Sequence, residues 1–407
     1  MYNLININLK KIFCHFGALS FFLITTSTTP FDNEMIRWYH SFITAILVYI
    51  VNGERIKWEY LGKFKKVYSI LFFVIVLNIF FNPYSTIASI GLLVTNLSFF
   101  LLIPFMSKVE FKKVFLFTII YIGIAKVFVV NEYMSTTTAL FREMAGRGKD
   151  KNALGLLFGM AIIAIISSMI LNRITEIKKI SIIRLIFPIS LIIIMLFSLL
   201  FSGSKSGLLS LIFSTFLLFL LIRKLKGNKK VGFMFIPLLA IAVIAGSIFI
   251  SKYSNDPRFH IKNYIKLITM FKGEAKDYNN RIAMLVGGVN LIKQRPITGY
   301  GFTSENYIAG HNHHNTILTF WVELGIIGFL VLVFFIKFYL DELKFNINML
   351  KLSPSNIGVY TSSALISLLP MFIMFFFLSL VSLVYFLLAF LASFTYKRTK
   401  DKYFLQP

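Results

Sequence analysis

Three histidines, His311, His313 and His314, stand in the run GHNHHN, directly ahead of an apolar stretch long enough to cross a bilayer. Arg281, Tyr300 and Asn315 flank them in the same segment, RIAMLVGGVNLIKQRPITGYGFTSENYIAGHNHHNTILTFWVELGIIGFL. Ionisable groups at the mouth of a membrane helix cost solvation unless they are used, so such a place reads first as a functional site. Histidine titrates near neutral pH and suits removal of a proton from a sugar hydroxyl. Two other readings stay open: a solvated interfacial turn, and metal ligation. Against metal, the spacing does not follow HExxH, and Glu323 falls half a turn out of phase with His314 on a continuous helix.

Cations supply the complementary chemistry. Arg281 precedes an amphipathic stretch, and Lys205 lies in SGSKSG between two long apolar runs. A lysine among small residues at a span end is held where a lipid diphosphate would lie; the alternative is that it snorkels and anchors the span. Arginine grips phosphate oxygens with a planar fork, whereas lysine acts as a point charge. Arg142, Arg147, Lys149 and Lys151 add positive charge in an adjoining loop, with Arg147 a candidate substrate contact. Asp256, Glu274, Asp277 and Glu305 are scattered, and no DxD motif offers a metal-nucleotide site. The expected activated donor is therefore a lipid diphosphate and not a nucleotide sugar.

The elements that must position these groups are membrane helices. Of 407 residues, 57% are hydrophobic and 14% charged, more apolar surface than a soluble core could hide. Spans are expected near 11–27, 36–51, 67–82, 84–106, 114–130, 153–171, 182–201, 207–222, 231–250, 315–336, 357–377 and 378–396. The fold class is thus an all-α integral membrane protein with about twelve spans. One polytopic domain, 1–407, carries everything, interrupted by a smaller outer loop at 131–152 and a large one at 251–314. A loop as long as the second is usually functional. Within it, RIAMLVGGVNLIK has helical apolar spacing and ends at Pro296, and the glycines around Tyr300 predict a tight turn that brings backbone close to something.

The net charge of +25 would suggest nucleic acid in a soluble protein. Here the basic residues gather in alternate loops, such as Arg55 to Lys66, Lys108 to Lys113, Arg223 to Lys230 and Lys397 to Lys402, as the positive-inside rule asks. Membrane lipids, and no nucleic acid, are the partners this implies, with both termini cytoplasmic. The single cysteine, Cys14, gives neither a disulfide framework nor a thiolate cluster. The first apolar run reads as a retained span and not as a cleaved signal.

Taken together, HNTILTFWVELGIIG, RPITGYGF and the helix of Arg281 resemble the O-antigen ligase and O-antigen polymerase superfamily of bacterial inner-membrane glycosyltransferases. His314, Asn315, Leu318, Glu323, Gly325 and Gly328 fall at the family's spacing. The resemblance implies metal-independent, cofactor-free transfer of a glycan from undecaprenyl diphosphate to an acceptor hydroxyl at the periplasmic face. In that reading His314 is catalytic and Arg281 and Lys205 bind the diphosphate, with His311, His313, Asn315, Tyr300 and Arg147 as further substrate contacts. Lys205 stands where the family usually has an arginine, keeping the charge without the fork, and Asn152 reads as structural. The acceptor is lipid A-core for a ligase and another lipid-linked repeat for a polymerase; GYGF followed by HNTIL leans to the ligase. A lipid-linked-sugar transporter is the reading from another class, but transporters gather polar residues near mid-membrane.

Overall fold

A computed structural model describes residues 34–52, 55–81, 86–135, 151–175, 182–202, 204–226, 276–301, 315–375 and 381–404. The spans expected at 11–27 and 231–250 lie outside them. Every regular element among the described residues is a helix, the form in which a backbone meets its own hydrogen-bonding needs without water. Among the described residues, four segments are long and apolar enough to cross a membrane: Leu154–Arg173, Lys205–Arg223, Thr316–Leu352 and Asn356–Met374.

The helices are α1 (Glu34–Asn52), α2 (Phe64–Phe81), α3 (Thr86–Leu101), α4 (Ile103–Met106), α5 (Val109–Ser135), α6 (Lys151–Ile174) and α7 (Ile182–Phe201). They continue with α8 (Lys205–Lys226), α9 (Lys276–Gln294), α10 (Thr316–Leu352), α11 (Asn356–Ile366), α12 (Leu369–Met374) and α13 (Val381–Phe404). Three depart from the expected spans. The run at 84–106 is not one helix: α3 stops at Leu101, and Pro104, which lacks an amide hydrogen, sits in the first turn of α4. The run at 357–377 is likewise split into α11 and α12 by a turn at 367–368, with Pro370 early in the second. Helix α10 continues beyond 336 to Leu352, a polar extension that an apolar window does not detect.

The chain divides into two compact units. The first comprises Met1–Val114, Asn280–Glu342 and Phe375–Pro407. In it α13 packs against α3, α4 and the short 3-10 turn Trp58–Leu61. Phe386, Phe390 and Phe394 recur every four residues along one face of α13, and Phe99 and Phe111 meet that row edge-on or tilted, at 5.5 and 6.3 Å between centroids. Toward the C-terminal end of α10 the core takes in charge. Glu342 accepts hydrogen bonds from the Thr395 hydroxyl at 2.9 Å and from the Arg398 guanidinium. Lys112, ahead of the span expected at 114–130, is buried with its ammonium 3.7 Å from the Phe394 ring centre. Burial, with Lys397 next in effect, lowers the Lys112 pKa from 10.5 to about 7.

The second unit, Phe115–Asn279 and Leu343–Met374, is organised around α6. Leu156 to Ile166 are all buried, because α7, α8, α11 and α12 all pack on this one helix. A helix that is apolar all round must be enclosed in this way or lie in lipid.

Candidate functional site

In the first unit the turn after α9 and a kink in α10 form one interlocked structure. Helix α9 carries Arg281 and ends before Pro296. The chain then turns, with Gly299 at φ 66° and Gly301 at φ 96°. Opposite, α10 is broken at Gly325, whose φ of 64° and ψ of −159° lie in a region that is essentially glycine-only. That break frees backbone groups that an unbroken helix would pair internally, and the turn takes them. The Tyr300 amide donates to the Val322 carbonyl at 2.9 Å and the Gly301 amide to the Glu323 carbonyl at 2.8 Å. In return the Ile326 amide donates to the Pro296 carbonyl at 2.9 Å. The approach leaves no room for side chains: a Cβ on Gly299 would collide with the Glu323 carbonyl, and one on Gly325 with that of Ile297. The close contact expected of the GYG turn is thus made with the backbone of the helix that follows the histidines.

The start of α10 is fixed as firmly. Asn315 is its cap, its side-chain oxygen accepting from the Leu318 amide at 3.0 Å. The Thr316 amide donates to the Phe375 carbonyl at 2.8 Å, and the Thr319 hydroxyl returns to the Asn315 carbonyl at 2.9 Å. Asn315, expected as a substrate contact, therefore has a capping task at the start of α10. Tyr300 is half-buried; its hydroxyl donates to Gln294 at 2.7 Å, and the Arg295 guanidinium lies 4.8 Å from its ring centre. His311, His313, His314 and Arg147 lie outside the described residues, and for Arg281 only its place on α9 is described. Among the described residues, no three His, Cys, Asp or Glu side chains gather as metal ligands would.

In the second unit Lys205 is the first residue of α8 and not part of a free connection. Ser204 caps this helix, its hydroxyl accepting from the Gly207 amide at 3.1 Å, while the Ser204 amide donates to the Ser202 hydroxyl at 3.3 Å. One turn of α6 lies alongside. The Asn152 side-chain oxygen accepts from the Ser206 hydroxyl at 2.8 Å and from the Ser204 hydroxyl at 3.4 Å. Just beyond, the two backbones nearly touch, since a Cβ added at Gly207 would lie 2.6 Å from the Gly155 Cα. Helices α6 and α8 therefore start side by side, which puts Asn152 and Lys205 at one end of the unit.

Sequence reasoning named the turn and the lysine, and named Asn315 as a substrate contact and not as a cap; it missed the Gly325 kink, the main chain of Val322 and Glu323, and the link from Asn152 to the serines. Gly325 falls at the family's spacing, but nothing local to it in the sequence marks a kink. For the last, the available signal was a polar residue, Asn152, at the head of one apolar run and two serines around Lys205 at the head of another.

Residues 190–333 match the family model described as O-antigen ligase, an interval that contains Lys205, Arg281, the three histidines and the whole interlock of α9 with α10. No curated protein matches the chain significantly.

Proposed function

We propose that this chain, a member of the O-antigen ligase superfamily, transfers a glycan from undecaprenyl diphosphate to a hydroxyl of lipid A-core at the periplasmic face of the inner membrane. It does so within a fold of about twelve spans whose termini are cytoplasmic, with 251–314 and 131–152 as periplasmic loops. In the reaction, the bond between the glycan's anomeric carbon and the diphosphate oxygen breaks. A bond from that carbon to the acceptor oxygen forms, the hydroxyl proton passes to His314, and the electron pair leaves with the lipid diphosphate. Arg281 and Lys205 offset the charge that builds on the leaving diphosphate, where low dielectric makes each contact worth more than in water. Proton removal by a positioned histidine contributes typically ~10²–10⁴-fold. Holding a long lipid beside its acceptor removes translational freedom before the chemical step.

The observation that carries this reading is the interlock. It ties the helix of Arg281 to the helix that begins immediately after His314, through hydrogen bonds between residues 296–301 and 322–326. A pair of groups that act on one substrate needs such a shared frame; a solvated turn or a snorkelling anchor does not. His311, His313, Tyr300 and Arg147 would then face the acceptor or the donor sugars.

The test is transfer by the purified full-length protein in detergent, with a lipid-diphosphate-linked glycan and lipid A-core. His314→Ala and Arg281→Ala are each expected to abolish product while membrane insertion is unchanged. Wild-type transfer by His314→Ala rejects the histidine assignment. Product in which repeats lengthen on the lipid, with no glycan on the core, makes the protein a polymerase. Movement of the lipid across a bilayer without transfer makes it a transporter.

A further inference from the structure

We propose that Asn152 is a positioning residue for the donor diphosphate, acting through Lys205. The inference rests on the reading above that Lys205 meets the diphosphate. The two hydroxyls that Asn152 accepts, those of Ser204 and Ser206, are the immediate neighbours of Lys205 in sequence, and both are buried. What the carboxamide fixes is thus the peptide on either side of the lysine. Ser204 is itself committed to capping α8 through the Gly207 amide, so one side chain on α6 ties together the cap, the first turn and the lysine that starts it.

A packing role alone accounts poorly for this asparagine. The close approach of α6 and α8 is made at Gly155 and Gly207, with the Ser204 hydroxyl seated against both glycines, and it does not call on the Asn152 carboxamide. Small residues suffice to let two helix backbones meet in a membrane. Buried hydroxyls need partners, but a hydroxyl in a helix can bond its own preceding carbonyl, as Ser210 does to Gly207 at 2.8 Å. Ser204 and Ser206 instead reach across to another helix. That geometry spends two interhelical hydrogen bonds on the orientation of one position, and the residue at that position is a cation. Lysine has a long flexible stem and no planar fork, so its ammonium is placed only as well as its backbone is. Where an arginine would select its own geometry on a phosphate, a lysine requires the support that Asn152 gives.

The experiment is a double-mutant cycle on the full-length protein in detergent, reading KM for the lipid diphosphate donor and kcat separately for Asn152→Ala, Lys205→Met and the pair. Asn152→Ala is expected to raise the donor KM about tenfold, the scale of one to two hydrogen bonds, with kcat within about twofold and the acceptor KM unchanged. In the Lys205→Met background the same substitution should add nothing, because a residue that acts only through another loses its effect when that other is gone. Ser206→Ala, which removes one hydroxyl and no volume from α6, should give the same signature at a smaller factor and serves if Asn152→Ala fails to fold. An Asn152→Ala effect that persists in full on top of Lys205→Met overturns the proposal, as does a loss in kcat at unchanged donor KM, or wild-type kinetics in both Asn152→Ala and Ser206→Ala. If Lys205→Met itself shows a wild-type donor KM, the donor reading of Lys205 fails, and the Asn152 proposal with it, an outcome distinct from the others.

Discussion

The two units hold their candidate site residues by different chemistry. In the first, residues 296–301 grip the kink of α10 through main-chain amides and carbonyls, and Gly299 and Gly325 stand where no Cβ would fit. In the second, α6 and α8 are joined around Lys205 by an asparagine and two serines. A main-chain grip is indifferent to most substitutions and intolerant of a few. A side-chain grip can be weakened by degrees. The difference suits the tasks proposed for them: a fixed spacing between the helix of Arg281 and the helix that follows His314 in sequence, and an adjustable placement of a flexible cation.

The largest break of this contrast is Gly325→Ala. The substitution forces a side chain into a glycine-only conformation and drives its Cβ onto the Ile297 carbonyl, so the kink and its hydrogen bonds cannot both survive. A cost of at least ~3 kcal/mol is expected from strain of ~1–3 kcal/mol plus lost hydrogen bonds. Glycan transfer should disappear while the protein still inserts. Hydrogen exchange is the direct check: the amides of Tyr300, Gly301 and Ile326 should lose protection together. Retained protection at all three in Gly325→Ala would show that the interlock does not depend on the glycine.

How far this was legible in the sequence differs between the same two places. The amphipathic stretch, its stop at Pro296 and the turn at Gly299 and Gly301 could all be read, because proline and glycine punctuate the chain locally. Gly325 could not: a glycine inside an apolar helix is ordinarily tolerated, and its conformation depends on a partner far away in sequence. Helix α7 falls on the expected 182–201, where apolar length alone decides. The breaks at 102 and 367–368 escaped because an apolar window sums hydropathy and is blind to where proline interrupts the backbone ladder. The tail of α10 to Leu352 escaped for the opposite reason, since a helix that continues past an apolar stretch carries no hydropathy signal. Lys205 and Asn152 were each visible, but the bonds that tie Asn152 to the serines on either side of Lys205 are a tertiary fact that no local spacing encodes.

The corresponding break in the second unit is Gly207→Ala. Its new methyl would sit 2.6 Å from the Gly155 Cα, and since that neighbour is backbone, the helices must separate. Overpacking of this kind costs typically ~1–3 kcal/mol. The expected outcome is a smaller fall in thermal stability in detergent than for Gly325→Ala, together with a raised donor KM as the serines move away from Asn152. A stability loss with an unaltered donor KM would separate the packing of α6 on α8 from the placement of Lys205 and so remove the functional side of the comparison.

The smallest expected effect is the sharpest, because it asks which part of Tyr300 matters. The interlock uses the amide of Tyr300, which any residue but proline supplies. Its hydroxyl donates to Gln294 in an exposed setting, and Arg295 lies over the ring. Tyr300→Phe keeps the amide, the ring and the contact with Arg295 and removes one exposed hydrogen bond, a change within about 0.5 kcal/mol for such a surface substitution. Melting temperature and the exchange of the Ile326 amide should match wild type if the main chain alone makes the grip. Transfer kinetics then decide the rest. An unchanged acceptor KM leaves Tyr300 as a spacer between two glycines, whereas a raised acceptor KM at unchanged stability would assign its hydroxyl to the substrate, as the sequence suggested. A fall in stability comparable to that of Gly207→Ala would mean that the first unit also relies on side chains, and the distinction between the two grips would be lost.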